Sequence, residues 1–254
     1  MYAVMAVTGM LVAGHHLCRS AKRRDMDVNE VIVLSLVICV GILVGSHILF
    51  ALVNYATLPA LFHQTNWKDA FQALRLAFGG SVFYGGLIGG LLTALLYLRH
   101  RQLDLADHAD LLAPAAPLFH GFARIGCFLG GCCYGVASPF GFVYSHSLVP
   151  EADGVRRFPV QLLEAAFDFC LFLFLSRLER KGRGKGLLFP IYLICYTAFR
   201  FGDEFLRGDA ARGIWGAFST SQWISLVLFA ASLLFLLFRR KNNRSTEKGA
   251  AAPQ

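Results

Sequence analysis

The chain has 254 residues, of which 56% are hydrophobic and 23 are phenylalanine. Its apolar runs approach twenty residues, the length that spans about 30 Å of hydrocarbon, which excludes an ordinary soluble domain. The net charge of +8 lies mainly in short basic clusters between these runs. That distribution is typical of membrane topology and lipid contact, so we expect membrane lipids and no nucleic acid as partners.

Seven apolar segments predict seven transmembrane helices in an all-α integral membrane protein. They cover residues 2–17, 29–54, 80–98, 107–129, 160–178, 186–206 and 222–238. Residues 58–76 are mixed in polarity and predict an outer loop or interfacial arm, and residues 134–157 predict a polar, aromatic outer loop. We expect a single polytopic membrane domain over residues 1–241 and a disordered, cytoplasmic polar tail over residues 242–254.

Basic clusters follow the first, third, fifth and seventh helices. Because basic residues favour cytoplasmic loops, this alternation predicts an N-terminus outside and a C-terminus in the cytoplasm. The first cluster, which includes Arg19 and Arg24, follows its helix instead of preceding it. This order is the reverse of a signal peptide, so the first helix is predicted to be retained.

One stretch, residues 123–135, combines a cation with four glycines and three cysteines. Arg124 follows a segment almost free of charge and is expected at the apolar layer or its boundary. An arginine at that depth costs about 2.5–3.5 kcal/mol, which favours a functional role. The alternative is an interfacial arginine that extends to lipid phosphates. The glycines would let the backbone bend and approach a ligand.

Three further charged residues fall in the outer halves of the predicted helices. Glu164 lies one turn into the fifth helix, and Arg200 and Glu204 are four apart on one face of the sixth. Arginine forks bind phosphate in a bidentate way, and a nearby carboxylate orients them. These residues with Arg124 predict a site for a phosphorylated lipid, and the alternative is an ion-pair network that only orients helices.

The remaining small-residue and thiol patterns each leave alternatives open. Residues 84–90 place small residues four apart, which favours close helix packing. The three thiols of Cys127, Cys132 and Cys133 are interpreted as packing residues, as a redox-active or disulfide-bonded pair, or as the source of a nucleophile. Their spacing, even with His120 added, matches no recognised metal-ligand pattern, so neither a metal nor another cofactor is predicted.

The chain resembles the prolipoprotein diacylglyceryl transferase family at five motifs in the family's order, spread along most of the sequence. The matching segments are residues 1–5, 83–89, 124–135, 158–164 and 199–207, with Ser219 and Gln222 at the start of the seventh helix. The resemblance implies a multi-pass enzyme of the bacterial plasma (inner) membrane. It implies transfer of diacylglycerol from phosphatidylglycerol to the lipobox cysteine of a prolipoprotein, with release of glycerol phosphate.

The resemblance also implies roles for individual residues. Arg124 and Arg200 would hold the headgroup phosphate, Glu164 and Glu204 would fix these arginines, and Tyr2 would line the cavity. The predicted catalytic residues are Tyr84, Arg124, Cys127, Glu164, Arg200 and Glu204. The predicted substrate contacts are Tyr2, Gly85, Gly86, Gly126, Gly131, Gly135 and Gln161.

The chain departs from the family pattern at positions that matter for thiol activation. Tyr84 stands where the family motif has histidine, and Cys127 stands where it has asparagine. A tyrosine with an ordinary pKa of about 10 is a poorer base near neutral pH than histidine. The acceptor is therefore predicted to be a prolipoprotein signal peptide or another thiol. The alternative function is a non-catalytic or redox-thiol lipid-binding membrane protein of the same fold.

Overall fold

A computed structural model describes residues 1–53, 66, 83–182, 186–209 and 214–250, without the side chains of residues 53, 83, 84, 214, 215 and 240–250. Seven α-helices lie within these ranges. They are α1 Tyr2–Arg23, α2 Val28–Val53, α3 Phe83–His100, α4 Leu105–Gly130, α5 Val160–Arg180, α6 Leu188–Asp203 and α7 Thr220–Ala250. The predicted interfacial arm at residues 58–76 and the predicted start of the third helix at residue 80 lie outside the described residues, apart from residue 66.

The chain divides into two compact units. The first unit comprises Met1–Arg19 and Ala106–Gln254, and the second comprises Ser20–Leu105. The expectation of a single polytopic domain over residues 1–241 stays a prediction.

Three helices within the described residues are long and apolar enough to cross a membrane: Val28–Leu52, Leu105–Gly130 and Thr220–Arg239. The first of these has a mean hydropathy of 2.6 and leaves large apolar side chains such as Leu36, Val40 and Leu43 exposed. An apolar surface of this extent requires lipid in place of water. The protein is therefore a mostly helical membrane protein, whereas seven spans and their orientation stay predictions.

Glycines hold α2 and α3 together in the second unit. A Cβ atom added to Gly45 or Gly89 would overlap the backbone of the facing helix, and the same holds for Gly41 and Gly85. Backbones can approach this closely only where both helices carry small residues. The close helix packing predicted from residues 84–90 is confirmed.

Apolar packing and one buried carboxylate join α4, α5 and α6 in the first unit. Ala113, Leu171, Leu175 and Leu188 form a buried cluster across these helices. Asp110 in α4 is also buried, and its carboxylate accepts hydrogen bonds from the backbone N–H groups of Gly186 and of Phe189, the latter at 3.1 Å. These amide groups at the start of α6 lack intrahelical partners, so Asp110 satisfies them from another helix.

The segments that follow α4 and α6 contain short strands. β1 (Ala137–Val143) pairs antiparallel with β2 (Arg156–Arg157), and β3 (Ile214–Trp215) pairs antiparallel with β4 (Phe218–Ser219). These pairs depart from the all-α prediction, because the polar segments beyond the helix ends satisfy part of their backbone by pairing. Backbone hydrogen bonds from Val136 to Leu206 and from Phe158 to Val136 attach the segment that follows α4 to the ends of α5 and α6.

Ser219 and Gln222, the two residues that the family resemblance places at the start of the last helix, lie at the start of α7, and this helix extends beyond residue 238. The backbone N–H of Ser219 donates to the side-chain carbonyl of Gln222, and the N–H of Gln222 donates to the Ser219 hydroxyl. This reciprocal pair is a capping box. The helix continues through Ala250. The disordered, cytoplasmic tail expected for residues 242–254 stays a prediction.

Candidate functional site

Arg124 in α4 forms a two-pronged ion pair with Glu164 in α5. The guanidinium Nε lies 2.7 Å from Glu164 Oε2, and Nη2 donates to Glu164 Oε1 at 2.9 Å. The side chains of Arg124 and Glu164 are 12% and 2% exposed. This fork geometry fixes the plane of the guanidinium group. The two side chains are therefore in contact, and the role of Glu164 in orienting Arg124 stays a prediction.

Arg200 in α6 is held by carboxylates of its own helix end and lies near the first pair. Its Nη2 is 2.6 Å from Glu204 Oε2, and its Nη1 is 2.8 Å from Asp203 Oδ2. Nη1 is also 3.9 Å from Glu164 Oε2, so Glu164 stands between the two arginines. The pairing predicted for Arg200 and Glu204 is confirmed. Asp203 was missed, although its i, i+3 spacing from Arg200 was a readable signal.

His120 and Asp168 extend this cluster. His120 Nδ1 lies 2.8 Å from Asp168 Oδ2, and Nε2 lies 4.0 Å from Glu164 Oε1. Asp168 is fully buried, while 28% of the His120 side chain remains exposed. The sequence signal was regular: His120 is four residues before Arg124, and Asp168 is four residues after Glu164. Each residue therefore lies one helical turn from a charged residue that had been identified.

Tyr196 in α6 completes the contacts of Glu164. Its hydroxyl donates to Glu164 Oε1 at 3.3 Å, and its ring meets the His120 ring edge-on with 5.5 Å between centroids. The Glu164 carboxylate therefore contacts Arg124, Arg200 and Tyr196 at the same time. A carboxylate held by this many donors is an anchor for cations and a poor proton acceptor. The predicted catalytic role of Glu164 stays a prediction.

Cys127, Cys132 and Cys133 form a thiol cluster whose three Sγ atoms all lie within 4.8 Å of one another. The end of α4 brings the first two together. The N–H of Gly131 donates to the Phe128 carbonyl at 3.2 Å, and the N–H of Cys132 donates to the Cys127 carbonyl at 3.1 Å. This is a Schellman motif, which brings C3 and C″, here Cys127 and Cys132, into contact.

Glycine is required at the turning point of this motif. Gly131 has a φ of +68°, and a Cβ there would overlap Ser147. Cys133 also adopts a positive φ, of 54°, which is uncommon for a residue other than glycine. These two left-handed residues fold the chain back so that a third thiol joins the first two.

The thiols of the cluster influence one another's ionisation. Hydrogen bonds from the Cys127 and Cys132 thiols lower the pKa of Cys133, burial works against them, and the positive charges of Arg207 and Arg124 lower it further. Hydrogen bonds with the Cys127 and Cys133 thiols raise the pKa of Cys132. The two pKa shifts have opposite directions because the thiols titrate as a coupled group.

Protein atoms occupy the space beside the three glycines that were predicted to admit a lipid headgroup. A Cβ at Gly126 would lie 3.1 Å from the Tyr2 ring, one at Gly131 would overlap Ser147, and one at Gly135 would overlap the Phe158 carbonyl. Chain packing therefore accounts for these glycines. Their contact with a headgroup stays a prediction.

The remaining predicted substrate contacts have mixed surroundings. Gln161 is buried, donates to the Cys132 carbonyl at 2.8 Å, and therefore supports the thiol cluster. Tyr2 is 44% exposed beside Gly126. Gly85 packs against α2 within the second unit. The side chain of Tyr84 lies outside the described residues, so its predicted catalytic role stays a prediction.

Gly86 also belongs to the packing of α3 against α2. A Cβ there would lie 3.2 Å from the side chain of Ile42 and 3.3 Å from its carbonyl oxygen. Like Gly85, it is accounted for by packing, and substrate contact at this position stays a prediction.

The helices and the charged cluster together define a class: a helical membrane protein with buried, oriented arginines suited to an anionic ligand. The sequence profile of the prolipoprotein diacylglyceryl transferase family matches residues 1–238, and the chain belongs to this family.

Two relatives show the extent of the similarity. The phosphatidylglycerol–prolipoprotein diacylglyceryl transferase of Clostridium tetani is 34% identical over 227 residues, which cover 89% of this chain and 87% of the relative. The phosphatidylglycerol–prolipoprotein diacylglyceryl transferase 2 of Clostridium perfringens is 33% identical over 253 residues, covering 96% and 93%. The similarity extends over nearly the whole length of both relatives.

Proposed function

We propose that the chain transfers the diacylglyceryl group of phosphatidylglycerol to the thiol of a prolipoprotein cysteine. The observation that carries the proposal is the cluster in which Glu164 joins Arg124 and Arg200 across three helices. Family membership supplies the reaction class, and the cluster supplies oriented cations at a position where unpaired charge would be costly.

The arginines would bind the headgroup phosphate through the guanidinium N–H groups that are not directed at a carboxylate. Arg124 uses Nε and Nη2 toward Glu164, and Arg200 uses Nη1 and Nη2 toward Asp203 and Glu204. Nη1 of Arg124 and Nε of Arg200 enter none of these pairs among the described residues. Because the carboxylates hold both guanidinium planes, little reorganisation is needed when negative charge develops on the phosphate.

His120 is the group we propose for activation of the acceptor thiol, in place of Tyr84. Its Nδ1 faces the buried carboxylate of Asp168, so a proton on Nδ1 leaves the lone pair on Nε2 to accept another. The ring is partly exposed, and its Nε2 lies 4.0 Å from Oε1 of Glu164, the carboxylate that contacts both arginines. Asp168 would act as a positioning residue that sets the tautomer and orientation of His120.

The proposed step is a single displacement. The thiol gives its proton to His120 Nε2, and the sulfur attacks the glyceryl carbon that carries the phosphate. A C–S bond forms while the C–O bond breaks, and the electron pair leaves on the oxygen of glycerol phosphate. Arg124 and Arg200 neutralise the negative charge on that leaving group, which lowers the barrier.

Transfer is tested with the full chain reconstituted in phosphatidylglycerol vesicles and supplied with a lipobox peptide. We expect glycerol phosphate and lipidated peptide in equal amounts, and neither product when phosphatidylcholine replaces phosphatidylglycerol. A relative such as the Clostridium tetani enzyme, assayed in the same vesicles, shows that lipid and peptide are competent. Absence of product from this chain alone would overturn the proposal.

The base is tested by comparing His120→Gln with Tyr84→Phe. Loss of a general base costs about 10²–10⁴-fold in rate, so we expect a loss in that range for His120→Gln and less than about tenfold for Tyr84→Phe. Asp168→Asn should change the pH dependence of kcat more than it changes the value of KM, because it alters the tautomer of His120. The reverse ranking of His120→Gln and Tyr84→Phe would assign the base to Tyr84.

We further propose a multi-pass location in the bacterial plasma membrane, with the N-terminus and residues 145–153 outside. Reporter fusions after Arg24, Arg101 and Lys241 should then indicate cytoplasm, and a fusion within 145–153 should indicate the outside. A cytoplasmic signal from 145–153 would reject this orientation.

A further inference from the structure

The thiol cluster of Cys127, Cys132 and Cys133 has the dimensions of a metal site. Its Sγ atoms lie within 4.8 Å of one another. Two sulfurs that share a tetrahedral Zn²⁺ with Zn–S bonds of about 2.3 Å lie about 3.8 Å apart. Small side-chain rotations therefore bring three sulfurs to one ion.

The backbone around the cluster is fixed before any ion binds. The Schellman motif holds Cys127 and Cys132, and the Gln161 side chain binds the Cys132 carbonyl at 2.8 Å. The N–H of Leu148 donates to the Gly130 carbonyl at 2.8 Å, which attaches the end of α4 to the following loop. Pre-organised ligands lose little entropy on binding, which favours affinity.

The charge around the cluster suits three thiolates and a divalent cation. Three thiolates with Zn²⁺ carry a net charge of −1, and Arg124 provides a positive charge three residues before Cys127 in the same helix. One ion would coordinate all three sulfurs, whereas a disulfide bond would join two of them and leave the third as a free thiol. Thiolate ligands select soft or borderline cations, and Zn²⁺ accepts a tetrahedral sulfur set without redox chemistry.

We propose that Cys127, Cys132 and Cys133 bind one Zn²⁺ ion as three thiolates, with the fourth position taken by water or an exogenous ligand. The ion joins the end of α4 to the loop that contains Cys132 and Cys133 and thereby stabilises the segment that carries Arg124. The spacing of the cysteines in the sequence predicted no metal, and it is the folded-back turn that supplies the geometry. This proposal does not depend on the proposed transferase reaction.

Zinc binding is tested on the full chain, purified in detergent, reduced and freed of metal. Zn²⁺ is titrated in competition with a chromogenic chelator, and Co²⁺ is titrated to detect sulfur coordination from its absorption. We expect one equivalent of each ion per chain and a sulfur-to-cobalt charge-transfer band. Cys132→Ser and Cys133→Ser should bind more than about 100-fold more weakly, beyond the 10–100-fold cost of losing only a supporting contact.

Cys39→Ser and Cys170→Ser are matched controls, because both thiols are exposed and lie on other helices. These controls should bind zinc as the unaltered chain does, and zinc should raise their Tm. Zinc should leave the Tm of Cys133→Ser unchanged, and equal Tm values of all metal-free variants would show that they fold alike. Unchanged zinc affinity in Cys133→Ser, or no binding by a chain with all three thiols counted as free, would overturn the proposal, whatever the transferase assay gives.

Discussion

Small residues join α2 to α3, whereas long charged side chains join α4, α5 and α6. Gly45 and Gly85 allow two backbones to touch because neither position has a side chain. Arg124 and Glu164 join α4 to α5 through long charged side chains that are almost completely buried. Small-residue contacts need no desolvation of charge, whereas the buried ion pair does.

The difference separates packing from chemistry. A helix pair can be held tightly with glycine alone, so the charged cluster is not needed merely to bring helices together. A buried ion pair is weak support for stability, and apolar residues of similar volume often serve as well. We therefore assign the charged cluster to function and the glycine contacts to helix packing.

The largest effect is expected from Arg124→Ala. The substitution removes one oriented donor from a preorganised site, which typically lowers kcat by about 10²–10³-fold. It also breaks the buried ion pair with Glu164, at a cost of about 3–5 kcal/mol in unfolding free energy. Arg124→Lys should also be impaired, because an ammonium group lacks the fork. Glycerol phosphate release and thermal unfolding measure the two effects separately.

Arg177→Ala is the matched control for this change, because Arg177 is an exposed arginine in α5. It should keep both activity and stability close to those of the unaltered chain. If folded Arg124→Ala protein transfers the diacylglyceryl group at the normal rate, the charged cluster has a structural role only, as the glycine contacts do.

A smaller effect is expected from Gly45→Val and Gly85→Val. Either side chain would overlap the facing helix, and overpacking costs about 1–3 kcal/mol in unfolding free energy. Gly85 was predicted to contact substrate, but Gly45 was not. If packing explains both glycines, the two variants should lose stability alike and show the same activity per folded molecule. Thermal unfolding in detergent with an activity assay measures this.

Gly14→Ala provides the control, because a Cβ at Gly14 meets no atom within 4 Å. This helical substitution should be neutral or stabilise by up to about 1 kcal/mol. A Gly85→Val variant that loses activity while keeping its stability would restore the predicted substrate role of Gly85.

The smallest effect on stability is expected at Asp153, whose carboxylate lies in the segment between β1 and β2 and not in a helix. The N–H groups of His146 and Ser147 donate to Asp153 at 3.0 and 3.1 Å, and hydrogen bonds from Ser147 and His146 lower the pKa of Asp153. The stabilisation is complete above the unfolded pKa of about 3.9 and is lost as pH falls through the lowered folded pKa.

The amide chemical shift of Ser147 should follow this titration. It should lose its pH dependence in Asp153→Asn and keep it in Glu151→Gln. A Ser147 shift that titrates unchanged in Asp153→Asn would assign the pH dependence to another group.

Local spacing in the sequence predicted a side-chain pair within one helix but not the pair of His120 and Asp168 between two helices. The pairing of Arg200 with Glu204 follows from a separation of four residues. The pairing of His120 with Asp168 joins residues 48 apart in the chain, and no helical period relates them. Only the packing of α4 against α5 brings their side chains within 2.8 Å.

By itself, the sequence determined the class of protein, the approximate places of the described helices, the motifs of the family and the identity of the charged residues. Hydropathy, helical period and capping residues act over one to a few turns, so a linear sequence reports them directly. The tertiary structure alone decided that Glu164 stands between two arginines, that His120 faces Asp168, and that three thiols meet beyond α4. These outcomes depend on helix packing and on two left-handed residues in a turn, which the order of residue types does not specify.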